Sequence, residues 1–161
     1  LLPSYEIRII SEQAISIFFG DEFRPDIHDL VMAFTYRMRC FPPVGCYDIV
    51  PAYISVTIHF NPLEIPRSES PSSWIRQYIE QTLQHVKTTL KEPKPIIEIP
   101  VRYNGQDLTA LSDLLNLTIP QIISIHSQPV YTVFMTGFLP GFPYMGILPE
   151  KLEAPRRATP R

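Results

Sequence analysis

Three arginines, Arg156, Arg157 and Arg161, close a stretch in which glycines, prolines and aromatic residues are interleaved. A guanidinium presents a planar fork of donors that grips a carboxylate or a phosphate through two parallel hydrogen bonds. Pro155 and Pro160 favour an extended backbone between them, so Arg157 and Arg161 are expected to face one way and Arg156 the other. The trio reads as an anion clamp for a substrate carboxylate or a phosphorylated intermediate; a solvated basic surface is the competing reading. His126 is the second group with chemistry in it. It stands at the end of a predicted helix and just before the strand that leads into the arginine stretch. It is the candidate catalytic residue, set against a structural histidine bonded to a nearby carbonyl. Gly137, Phe138, Pro140, Gly141, Phe142 and Tyr144 make a rigid binding or interface loop: glycine permits close approach, proline fixes φ, and the aromatics line a pocket or pack the loop down. Tyr103 and Asp107 flank an Asn104-Gly105 turn and read as rim residues or as turn-forming polars.

Several chemistries are excluded by pattern. There is no G-x4-G-K-[ST] phosphate loop, no G-x-G-x-x-G and no G-x-S-x-G elbow. The four histidines, His28, His59, His85 and His126, lie far apart, so no metal site is expected. Cys40 and Cys46 make a C-x5-C pair that fits no zinc or redox motif and reads as two reduced thiols of a cytoplasmic protein. The net charge of −2 carries no footprint for nucleic acid. No apolar run reaches the roughly 20 residues that span a bilayer, and no signal peptide is visible, although the lack of an initial Met suggests trimming at that end.

The elements that must position these residues follow from periodicity. Hydrophobic residues make up 45% of the 161, enough for a real core. Tyr5, Ile7 and Ile9 alternate with charge, Ala14 to Phe19 is apolar, and the two predict a hairpin. Ile27, Leu30, Val31, Phe34 and Met38 fall on one face of a helix that Pro25-Asp26 opens and Phe41-Pro42-Pro43 stops. Cys46 to Val50 and Ser55 to Phe60 predict two more strands, and Pro71 to about Leu90 a second helix with a capping serine. The order β-β-α-β-β-α predicts a two-layer α+β domain over residues 1–92. Glu92-Pro93-Lys94-Pro95 has the composition of a stiff linker. Beyond it, over 93–161, the spacing predicts a strand from Ile96 to Tyr103, a short helix capped by Asp107 and running to Leu115, a helix capped by Thr118 and running to His126, and a strand from Tyr131 to Phe138.

The stretch GFLPGFPYMGILPEKLEAPRRATPR, Gly137 to Arg161, resembles the signature of the B-subunit family of bacterial ATP-dependent 5-oxoprolinase, also called allophanate hydrolase subunit 1 or the Kip-type inhibitor of a sporulation histidine kinase. The resemblance extends through IPVRYNGQDL (Ile99 to Leu108) and IISIHS (Ile122 to Ser127), and more weakly through PAYISVTIHFNP and YEIRIISEQAISIFFGDE. It implies that the second domain is a cyclophilin-like β-barrel, incomplete here because its C-terminal part is absent. It implies a protein that is inactive alone and that joins the C and A subunits of the 5-oxoprolinase in opening 5-oxo-L-proline to L-glutamate. ATP is then the cofactor of the complex, with no nucleotide motif in this chain. The alternatives under the same resemblance are inhibition of a histidine kinase and hydrolysis of allophanate. The family motif also carries a histidine at the position of His126.

Overall fold

The computed structural model describes residues 4–66, 70–86 and 95–159. The chain divides into two compact units, Leu1–Pro93 and Lys94–Arg161. The expected linker at Glu92 to Lys94, the far end of the second predicted helix, and Arg161 lie outside the described residues. The architecture is α+β with antiparallel sheets.

In the first unit, strands β1 (Glu6–Ser11), β2 (Ala14–Phe18), β3 (Cys46–Pro51) and β4 (Ser55–Phe60) form one antiparallel sheet in the order β1-β2-β4-β3. The register sets Ile15 opposite Ile58 and Ile17 opposite Val56, so their side chains share one face. Helices α1 (Pro25–Cys40) and α2 (Pro71–Leu83) supply the other half of the core. Ile27, Leu30, Val31, Phe34 and Met38 of α1 and Ile75, Ile79 and Leu83 of α2 join Ile15, Ile17, Ile49, Val56, Ile58 and Phe60 in one buried cluster. Both helices therefore cover the same side of the sheet. On the other side, Ser16 and Thr57 hydrogen-bond across the strands at 2.7 Å.

Local chemistry fixes the helix ends. Pro25 opens α1 at its first position, while Arg24 spends its side chain on Asp26 through an ion pair. The cap of α2 is Ser70, whose hydroxyl accepts the Ser73 amide at 3.2 Å. Among the described residues this helix ends at Leu83: Gln84 and His85 form a turn, with the His85 and Val86 amides bonding Thr82 and Leu83 carbonyls at three-residue spacing. Cys40 and Cys46 are free thiols.

The second unit is built differently. Helices α3 (Leu108–Leu115) and α4 (Ile119–Ser127) precede a hairpin of β5 (Thr132–Thr136) and β6 (Pro143–Gly146), and a 3-10 helix follows at Glu150–Leu152. Asn116 ends α3 in the left-handed conformation, φ 51°, which asparagine tolerates. A full capping box opens α4: Thr118 accepts the Gln121 amide and Gln121 accepts the Thr118 amide. Ile122, Phe134 and Leu152 are the buried apolar side chains among this unit's described residues.

Two expectations change here. The predicted strand from Ile96 to Tyr103 does not form; residues 95–104 carry no regular structure, and Ile96, Ile97, Ile99 and Val101 are exposed. Alternation and β-branching make a segment fit for a sheet, but a strand exists only when a neighbour takes its backbone groups. Conversely, part of the predicted loop is a strand. Pro143 is the first residue of β6, where its missing N–H costs no ladder bond, and β6 pairs on one side only. Among the described residues this unit's sheet has two strands, and no closed barrel is present.

Candidate functional site

Along the chain, His126 precedes the β5–β6 hairpin and the arginines follow it. His126 occupies the last turn of α4, which its capping box and the burial of Ile122 hold in place. Its Nδ1 lies 2.7 Å from the hydroxyl oxygen of Tyr103, and the two rings meet edge-on at 82°. Tyr131, just before β5, donates its hydroxyl to the His126 carbonyl at 2.9 Å, and its ring lies 5.5 Å from the imidazole. Burial, and after it the neighbouring Tyr103, push the Tyr131 phenol up from its ordinary value. His126 is thus clasped between two tyrosines rather than standing alone. Tyr103 was identifiable only as a rim residue and Tyr131 as the start of a strand. Their separations from His126, 23 and 5 residues, belong to no helix or strand period, so only folding brings the three together.

Arg157 donates from Nη1 to Oδ1 of Asp107 at 3.1 Å, and both side chains are more than half exposed. Asp107 precedes α3 but makes no side-chain cap, which corrects the expected capping role. A guanidinium offers a charge-assisted bond, whereas the cap would be to a neutral amide, and charge-assisted bonds are roughly twice as strong. Arg156 is exposed and forms no ion pair among the described residues. Arg161 lies outside the described residues, so the expected alternation of Arg157 and Arg161 is not described. Tyr103 and Asp107 are four residues apart, and so their Cα atoms lie within roughly 14 Å even for a fully extended chain. The partner of His126 and the partner of Arg157 therefore belong to one short connection.

Between β5 and β6 the chain turns tightly. Leu139 N–H donates to Gly137, Phe142 N–H to Leu139, and Gly137 N–H to Phe142. Gly141 has φ +77°, where glycine carries no Cβ penalty, and Phe138 adopts φ 68° at the cost of one. Phe138, Phe142 and Tyr144 stack edge to face in series, with centroids 5.9 and 5.2 Å apart. Phe138 remains 83% exposed, so the aromatic series faces solvent at its tip rather than packing the loop down.

The start of α4 does not make a phosphate cradle. Phosphates are usually held by free amides at a helix start. The Thr118 and Gln121 amides at the start of α4 are taken by each other's side chains.

Known proteins place this arrangement in a lineage. The family model "Carboxyltransferase domain, subdomain C and D" matches residues 5–161. The 5-oxoprolinase B subunit of Bacillus subtilis is 29% identical over 98% of this chain and 69% of its own length. The protein of the same name from Haemophilus influenzae is 56% identical over 40% of this chain, a match that takes in 32% of that protein. Among solved structures, TTHA0988 superposes with a TM-score of 0.76 at 28% identity, over 97% of this chain and 29% of that one. The likeness read from the glycine-, proline- and arginine-rich stretch is thus borne out. The chain is a member of the carboxyltransferase subdomain C and D family.

Proposed function

We propose that this chain acts as the B subunit of an ATP-dependent 5-oxoprolinase complex, which hydrolyses 5-oxo-L-proline to L-glutamate. The observation that carries this reading is the match along 98% of the chain to a protein named as the B subunit of 5-oxoprolinase. The site chemistry agrees with it. The reaction cleaves the lactam C–N bond, adds water's oxygen to the carbonyl carbon and returns a proton to the nitrogen. A lactam is a weak electrophile, so the carbonyl oxygen needs stabilisation as negative charge builds on it. His126 lies at the centre of a tyrosine clasp suited to holding one imidazole in a defined orientation. Arg157 can receive the substrate carboxylate. The Arg157–Asp107 pair is exposed, so exchanging it for a substrate carboxylate costs little, since exposed pairs contribute about 0–1 kcal/mol. Phe138, Phe142 and Tyr144 form the face toward a companion protein of the complex.

ATP is bound with the companion C and A subunits, a reading that rests on the lack of a recognisable nucleotide loop in this chain. The reading is tested with the full-length protein co-purified with those companions, following glutamate release from 5-oxoproline. Glutamate should appear only with ATP and only from the assembled complex. An Arg157→Ala complex that still assembles should show a raised KM for 5-oxoproline. An intact complex that releases no glutamate would sink the reading.

A further inference from the structure

The direction of one hydrogen bond decides what His126 can do. Neutral imidazole has one N–H and one lone pair, and the bond made at one nitrogen selects the role of the other. The Tyr103 hydroxyl and His126 Nδ1 are 2.7 Å apart. That separation is usual for an O–H donor and short for an N–H donor to a neutral oxygen, for which about 2.9–3.0 Å is typical. A phenol O–H is also more acidic than the N–H of a neutral imidazole, and so is the better donor of the two. Tyr131 does not compete for the ring nitrogens, because its hydroxyl is given to the His126 backbone carbonyl. Nε2 has no hydrogen bond among the described residues.

We propose that Tyr103 donates its hydroxyl to Nδ1 and holds His126 as the Nε2–H tautomer, so that the histidine presents a hydrogen-bond donor, and not a base, to an oxygen of the bound substrate. Tyr103 is then a positioning residue that acts through His126. The ligand group is a carbonyl oxygen that gains negative charge, as in an amide or lactam under attack. This assignment of the ligand rests on the amidohydrolase reading above; the tautomer does not. The arrangement also accounts for the edge-on packing of Tyr103, which fixes the plane of the imidazole as well as its proton.

The test is nitrogen-15 NMR of the full chain labelled at histidine, recorded at mildly alkaline pH where the imidazole is neutral. His126→Gln assigns the resonances. The expected result is a protonated Nε2 and an unprotonated Nδ1 for His126, with no averaging between tautomers. In Tyr103→Phe both nitrogens should move toward the averaged values of a free side chain. A protonated Nδ1 in the parent chain, or a His126 pattern indifferent to Tyr103→Phe, would overturn the proposal. Should Tyr103→Phe fail to fold, 3-fluorotyrosine at 103 serves instead: a stronger donor should shift Nδ1, and an unmoved Nδ1 refutes the bond.

Kinetics supply the role. In an active complex, His126→Ala should lower kcat about 10²–10³-fold, the usual loss of one oxyanion donor. His126→Gln keeps an N–H near the position of Nε2 and should recover part of that loss. If Gln is as damaging as Ala, His126 is not the donor. A complex without activity would refute the oxoprolinase reading and leave the tautomer to stand or fall on the NMR result alone.

Discussion

At the scale of residues, the unit around His126 is a cluster of two phenols and an imidazole held by three different elements: the segment before α3, the end of α4, and the approach to β5. Its alkaline behaviour can be predicted with its sign. The Tyr131 phenol is raised by burial first and by Tyr103 second. Its contribution to stability is fully present below the unfolded value near 10 and is lost as pH rises through that value toward the raised folded one. Urea midpoints measured from pH 8 to 11 should therefore fall in the parent chain. They should fall less steeply in Tyr131→Phe, whatever that variant loses at neutral pH through the bond to His126. Equal slopes would show that Tyr131 titrates as a free phenol.

At the scale of elements, the two units are stabilised by different means. Helix α1 belongs to a continuous core: Phe34 is fully buried and meets Phe19 edge to face at 5.5 Å. Truncating Phe34 to Ala should cost about 3–5 kcal/mol, the range for a buried aromatic, read as a lowered urea midpoint with an unchanged slope. Helix α4 buries little beyond Ile122, so its start matters more. Thr118→Ala removes one half of the capping box and should cost about 1 kcal/mol. Because α4 carries His126, the same substitution should also broaden the His126 resonances. A Thr118→Ala chain with unchanged stability would place the strength of α4 in its packing against the Glu150–Leu152 helix instead.

At the scale of the whole molecule, the distribution of apolar surface separates the units. The first gathers its large aliphatic and aromatic side chains into one cluster. The second leaves Ile96, Ile97, Ile99, Val130, Phe138 and Ile147 mostly exposed and buries only Ile122, Phe134 and Leu152 among its described apolar residues. A segment of that size needs a well-filled core to stand alone. Residues 1–93 and residues 94–161, expressed separately, should each unfold against urea by circular dichroism, the second segment at the lower urea midpoint. An equal or higher midpoint for the second segment would mean that the tyrosine clasp and the hairpin hold it as firmly as the larger core holds the first.

Much of the first unit was legible in the residue order because its information is local. Alternation sorts β4 into a buried and an open face, the spacing from Ile27 to Met38 draws one stripe on α1, and Pro25 and Pro71, like Thr118 in the second unit, mark helix starts by backbone chemistry that acts within a few residues. The family likeness was legible for the same reason, since a dense run of glycine, proline and arginine survives as a string. What the residue order left open depends on partners far away in the chain. Whether Ile96 to Tyr103 is a strand is decided by the presence of a neighbouring strand, and among the described residues none pairs with it. Whether Asp107 caps a helix or binds Arg157 is decided across 50 residues. The proton on His126 is decided by a hydroxyl 23 residues earlier, and hydrogen bonds to a ring nitrogen depend on distance and angle, which only the tertiary fold supplies.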